Sequence, residues 1–168
     1  MQVINIHKRT IRQSIDKVSQ QFKTLTTSKD LVWPYENWPA IKFKEGLQVG
    51  SKGGHGRVRY TIIEFKAGEL IKFQFVKPEG FIGTHQLKIE KIEGNETEIS
   101  HEIRMNTTFK ATVLWVFIVR WLHDALIEDA FDKVENYFTG DKKKPKYNLW
   151  VKLLREAYKR KSFQTKYA

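Results

Sequence analysis

The sequence predicts an α+β domain in which a curved antiparallel sheet wraps around one long C-terminal helix. Two observations carry this. Between residues 40 and 109 apolar residues recur with period two and are broken by turn residues, whereas residues 110–139 contain neither Gly nor Pro and carry a helical pattern. A strand and a short helix precede the meander, so the order is strand, helix, strands, long helix.

Residues 3–11 alternate apolar and polar, without an apolar run, which predicts a strand rather than a leader and hence a cytoplasmic protein. Ser14 is placed to cap a helix whose apolar positions are Ile15, Val18, Phe22 and Leu25, with Asp16 suited to the first-turn dipole. Thr26, Thr27 and Ser28 end it. The segment Trp33-Pro34-Tyr35-Glu36-Asn37-Trp38-Pro39 then reads as an aromatic loop, since the residue before each proline is driven from helical backbone.

Hairpin punctuation follows at residues 50–56, at Ala67-Gly68-Glu69, at Pro78-Glu79-Gly80 and at Glu93-Gly94-Asn95. Parity assigns one sheet face to Ile41, Phe43, Val58, Tyr60, Ile62, Ile71, Phe73, Phe75, Leu87, Ile89, Ile99, Ile103 and Met105, and places His85 and His101 with them. The other face is polar. The run Gly50-Ser51-Lys52-Gly53-Gly54-His55-Gly56 superficially resembles a phosphate loop. It lacks the Gly-Lys-Ser/Thr ending and precedes a strand, so it reads as a flexible hairpin at the mouth of the sheet.

The long helix runs to Thr139, with Gly140 in the place of a C-cap glycine. Its first half, residues 113–122, is apolar nearly all round. The second half narrows to Leu126, Ala130, Phe131, Val134 and Phe138, leaving Asp124, Glu128, Asp129, Asp132 and Glu135 for a wet side.

The 168 residues, 40% of them hydrophobic, suit one packed domain plus an appendage: a domain over 1–139 and a tail over 140–168. The absence of Cys excludes disulfides, thiolate nucleophiles and Cys-based metal sites. Net charge is +11, of which +8 belongs to the tail and +3 to the rest. Within the tail, positions 147–161, opening at Tyr147 and closing at Lys161, form a basic amphipathic helix. It carries Trp150, Val151, Leu154 and Tyr158 on one stripe, Leu149 and Leu153 beside it, and Lys152, Arg155, Lys159 and Arg160 opposite. Three roles stay open for it: packing on its own domain, self-association, or docking on an anionic membrane. With only +3 on the domain there is no extended basic surface, which argues against nucleic acid.

The element order, the Trp33 to Pro39 segment and the final helix together resemble the START-like superfamily, also called helix-grip, birch-allergen-like or SRPBCC, which includes polyketide cyclase/dehydrase-like proteins. The resemblance spans roughly residues 3–139. It implies a cavity between sheet and helix that binds a hydrophobic small molecule such as a lipid, polyketide or isoprenoid, and it carries over no catalytic residue. On that basis the expected wall is Phe43, Tyr60, Phe73, Phe75, His85, Leu87, His101, Ile103 and Met105 from the sheet with Phe117 and Trp121 from the helix, while Trp33 and Trp38, with Tyr35, either gate the mouth or pin their loop on the core. An alternative is a cyclase or dehydratase using His85, His101 or Tyr60 as acid or base. No cofactor is expected. His7, His55 and His123 show no metal-ligand spacing, and adjacency on a helix points His123 and Asp124 apart, so the spacing predicts neither a metal site nor a base with its orienter.

Overall fold

The computed structural model describes residues 1–141, 143 and 145–164, and side chains as far as residue 158. Seven strands form one antiparallel sheet: β1 (Gln2–Ile11), β2 (Lys42–Phe43), β3 (Lys52–His55), β4 (Val58–Lys66), β5 (Leu70–Lys77), β6 (Phe81–Lys91) and β7 (Thr97–Thr107). The spatial order is β1-β7-β6-β5-β4-β3-β2, so β2 to β7 form a meander and β1 closes beside β7. Helix α1 (Ile15–Phe22) follows β1, and the rod that crosses the sheet comprises α2 (Phe109–Leu114), a π-helical turn (Trp115–Val119) and α3 (Arg120–Thr139). No helix among the described residues is long and apolar enough to cross a membrane.

The turn residues act where period two breaks. Glu69 N donates to Lys66 O across the β4–β5 turn, Phe81 N to Pro78 O across β5–β6, and Ile92 N to Glu96 O across β6–β7. The glycine-rich run departs from expectation, because its centre is strand β3 rather than a loop, joined to β4 through Gly56 and Arg57. A Cβ on Gly53 would stand 2.2 Å from Lys42 O, and one on Gly54 2.0 Å from Val58 O. Only glycine lets β2, β3 and β4 approach this closely, and the hairpin thereby delivers His55 to the interior rim.

Parity sorts the sheet as expected. Tyr60, Ile62, Ile71, Phe73, Ile89, Ile99, Ile103 and Met105 are buried, while Ile63, Val76 and Ile82 lie on the far face and are exposed. From the rod, Leu126, Ile127, Phe131 and Val134 press into this face together with Val18 and Phe22 of α1. Side chains as fully buried as Phe131 and Val134 each contribute about 1.5–3 kcal/mol of transfer free energy. A second cluster of Val3, Phe81, Ile103, Met105, Ala111 and Trp115 fills the other end. Gly140 takes the left-handed conformation, φ 72°, and its N–H bonds Asn136 O, ending the rod where the sequence places the stop.

The acidic side of α3 does not face only water. Inward-facing Asn5, His7 and Arg9 of β1 meet it in a seam: Asn5 Nδ2 donates to Asp124 at 3.0 Å, and Arg9 donates to Glu128, Asp132 and Glu135 at 2.8, 2.9 and 2.6 Å. The edge strand is thus fixed to the helix by charge as well as by the β7 ladder.

The tail folds back on its own domain. Helix α4 (Leu149–Gln164) begins at Asn148, whose side chain accepts from Val151 N at 2.8 Å. It buries Val151 and Leu154. Arg155 lies 4.3 Å from the Trp38 ring and 4.2 Å from the Tyr147 ring, and donates to Asn37 O. Tyr147 and Trp38 both donate to Asp129 Oδ2. Lys142 and Lys144, and the side chains of Lys159, Arg160 and Lys161, lie outside the described residues.

Candidate functional site

The register of the sheet builds a row of rings beneath the rod. His7 on β1 pairs across from His101 on β7, Leu87 on β6 pairs with His101, and His85 sits two residues before Leu87 on the same face. Phe73 on β5 pairs with His85, and Tyr60 on β4 pairs with Phe75. His55 on β3 continues the row, its ring 5.9 Å from Tyr60 and 4.8 Å from Trp33. His123 descends from α3 to meet it, 4.9 Å from His101 and 5.8 Å from His7. All five histidines of the chain therefore lie along one line.

At the centre of this line the His85 ring is stacked against Phe73 at 4.6 Å and Phe75 at 4.7 Å, with Tyr60 edge-on at 4.7 Å. His85 Nδ1 lies 3.3 Å from His101 Nε2. One of these nitrogens carries the shared proton, so whichever tautomer pair is present, one outer nitrogen is a donor and the other an acceptor. Those outer atoms, His85 Nε2 and His101 Nδ1, are buried without a hydrogen-bond partner, as are Tyr60 Oη and His123 Nε2.

Electrostatics separates the two ends of the row. Burial, reinforced by His123 and by the neighbouring imidazoles, holds His85 and His101 well below the ordinary histidine value, so both are neutral. His55 is pushed down to about 3 by burial, with His123 and Arg59 adding to it. Burial also lowers His123, against the opposing hydrogen bond and charge of Asp124, and raises the Tyr60 hydroxyl. At His7 burial is outweighed by the hydrogen bonds and charges of Asp124 and Glu128, which raise it.

The expected wall residues fall into three groups. Tyr60, Phe73, His85, His101, Ile103 and Met105 are buried, Phe43, Phe75 and Leu87 are half-buried against them, and all sit on the inner face. Trp33 and Trp38 are pinned inward rather than gating freely: Trp33 Nε1 donates to Pro39 O, and Trp38 is held by Asp129 and Arg155. Phe117 and Trp121 are corrections, for they are 59% and 41% exposed and face away from the sheet. An all-round apolar segment does not fix which side faces in; Trp115 and His123 take that place instead. The expectation of divergent His123 and Asp124 is likewise corrected, since His123 Nδ1 lies 3.4 Å from Asp124 Oδ1.

An open chamber beneath the rod is not what the rings form, because they touch one another. Two clefts stand out among the described residues, and both lie outside the row. One, of about 510 Å³, lies between the end of β1 and the end of α3, by Arg12, Glu96, Glu135 and Phe138. The other, of about 600 Å³, separates α3 from the segment leading into α4, by Trp121, Asp124, Glu128, Lys146 and Tyr147.

The sequence reading missed His7, His55 and His123. Parity held the signal for His7, which shares a face with Val3 and Ile11. His123 sits three residues before Leu126 and four before Ile127, on the buried stripe.

A seven-stranded sheet closed on a terminal rod is the helix-grip fold of START-like and birch-allergen-like proteins. Solved structures share it. CalU16 from Micromonospora echinospora is 15% identical, the alignment covering 92% of this chain and 83% of that one, with a TM-score of 0.56. A truncated norcoclaurine synthase from Thalictrum flavum is 10% identical over 84% of this chain and 96% of that one, with a TM-score of 0.62. The same enzyme bound to dopamine and hydroxybenzaldehyde is 11% identical over 86% and 90%, with a TM-score of 0.60. At these identities the likeness concerns the fold alone. No family model matches the chain, and no curated protein does.

Proposed function

We propose that the protein binds a compact, largely aromatic small molecule bearing hydrogen-bonding groups, at the row of rings between the sheet and the long helix. The observation that supports this reading is the set of four buried polar atoms without partners, Tyr60 Oη, His85 Nε2, His101 Nδ1 and His123 Nε2. Leaving a buried donor or acceptor unpaired costs roughly 1–3 kcal/mol, and a guest that bonds to these atoms recovers it. The flanking Phe73, Phe75 and Leu87 supply the apolar contact, at about 25 cal/mol for each Å² removed from water. Because the rings touch, the guest is small and its entry parts them. A long acyl chain has neither the room nor any use for so many polar contacts. The norcoclaurine synthase complex, with two small phenolic compounds bound on the same fold, agrees in ligand size.

Mass spectrometry of solvent extracts from the purified protein, together with a thermal-shift panel of phenols, aromatic aldehydes and polycyclic ketones, tests this. A co-purified aromatic compound, or a panel member that raises Tm in the native protein but less in Tyr60→Phe, is the expected outcome. If nothing co-purifies and no member of the panel shifts Tm, the reading fails.

A second reading, catalysis, is favoured by the His85–His101 contact alone. The pair presents a donor at one end and an acceptor at the other; when the acceptor end takes a proton from a guest and the donor end gives one back, the shared proton shifts and the two roles exchange, as an acid–base isomerisation or dehydration requires. Incubating an identified ligand with the protein and finding its mass or chromatographic position unchanged would remove this reading and leave the first intact.

A further inference from the structure

We propose that His7, His123 and Asp124 form a binding site for a divalent first-row transition cation such as zinc, at the rim where β1 meets α3. Three candidate ligand atoms, one from each residue, lie within 4.8 Å of one another. Two of the separations are directly informative: His7 Nε2 is 3.1 Å from Asp124 Oδ1, and His123 Nδ1 is 3.4 Å from the same oxygen. Ligands about 2.0–2.1 Å from a tetrahedral zinc stand about 3.3–3.4 Å apart along each edge, so these atoms already span edges of such a site.

The surrounding groups suit the assignment. His7 Nδ1 contacts Glu128 Oε1 at 2.8 Å. A carboxylate there holds the ring proton on Nδ1 and turns the Nε2 lone pair toward Asp124, the carboxylate–histidine–metal relay that fixes imidazole ligands. In the metal-free chain a proton on Nε2 bridges it to the carboxylate oxygen at 3.1 Å, and a divalent cation would take the place of that proton. Arg120 approaches the other oxygen, Oδ2, at 3.6 Å, while Asn5 Nδ2 donates to Oδ1 at 3.0 Å and orients the carboxylate. Two imidazoles and one carboxylate select zinc, cobalt, nickel or iron over magnesium or calcium, which favour oxygen-only sets.

The site is separate from the ring row in everything but His123. Binding through His123 Nδ1 leaves the proton on Nε2, the atom that faces the interior without a partner.

The test titrates the full chain, stripped with a chelator, with Zn²⁺ at neutral pH by calorimetry and by competition with a chromophoric chelator. One equivalent is expected to bind. Affinity should fall at least tenfold in His7→Gln and in Asp124→Asn and about tenfold in Glu128→Gln, and should stay unchanged in Glu64→Gln, an exposed residue of β4. Absence of stoichiometric binding, or equal affinity in His7→Gln and Asp124→Asn with their folds intact by circular dichroism, overturns the proposal. Should a variant unfold, the Co²⁺ form of the native chain decides: intense visible bands of a four-coordinate ion support the site, and weak six-coordinate bands overturn it. Binding of aromatic compounds does not enter either measurement, so this result and that of the ligand screen are independent.

Discussion

The interior and the rim of one histidine row obey opposite electrostatics, though barely a ring's width separates them. His85 is surrounded by Phe73, Phe75 and Tyr60, it and His101 hydrogen-bond only to each other, and burial keeps both neutral. His7 faces Asp124 and Glu128 and is favoured as a cation. The same side chain becomes a neutral hydrogen-bonding surface or a charged anchor according to whether carbon or carboxylate stands next to it.

Acid separates the two regions most forcefully. The pKa values of His55, His85 and His101 are lowered in the folded state from 6.5, so the unfolded chain takes up protons that the folded one refuses. Their contribution is present above pH 6.5 and lost as the pH falls below it, down to about 3 for His55. Between pH 7 and pH 5 stability should fall, by about 2 kcal/mol for His55 with His85 and His101 acting in the same direction, read as a falling urea midpoint. His7, whose folded pKa is raised, works the other way: its stabilisation is complete below pH 6.5 and disappears as the pH climbs through its raised value. A stability profile flat from pH 7 to pH 5 would break the comparison.

Phe73→Ala should rank next, at about 3–5 kcal/mol, because it removes a ring packed on both His85 and Tyr60. Arg9→Ala at the rim should cost about 1–2 kcal/mol and lose much of that cost in 1 M salt, since it strands three carboxylates near water. Replacing His85 by Phe and His101 by Leu together should change stability at pH 7 by less than about 1 kcal/mol while removing much of the acid sensitivity, for a paired polar contact exchanged for apolar contact is close to neutral. A variant at the outward face, Phe117→Ser, should move the midpoint within about 0.5 kcal/mol.

Much of the interior was legible because its logic is local. Alternation alone put Tyr60, Phe73, His85, His101, Ile103 and Met105 on one face, and the hairpin punctuation gave their order. The rim was not legible, because His7 and Asp124 are 117 residues apart and meet only once β1 closes beside β7 and the rod lies across both. The glycine-rich β3 escaped notice since its residues favour turns, and packing against β2 and β4 overrode that preference. The phase of residues 113–122 was undetermined, since an almost uniformly apolar helix offers no moment to orient it.

The π-helical turn at Trp115–Val119 answers that last ambiguity in a way composition does not reveal. A π turn accommodates one residue more than an α-helical turn, as an insertion does in a ladder otherwise in step. Deleting a single residue there would return the rod to regular pitch and rotate everything upstream by about 100° relative to α3. Trp115 would leave Phe81 and His123, and the neighbouring exposed rings would turn toward the sheet. The extra residue is in effect a phase correction, letting the two halves of one helix present unrelated faces to the same concave surface.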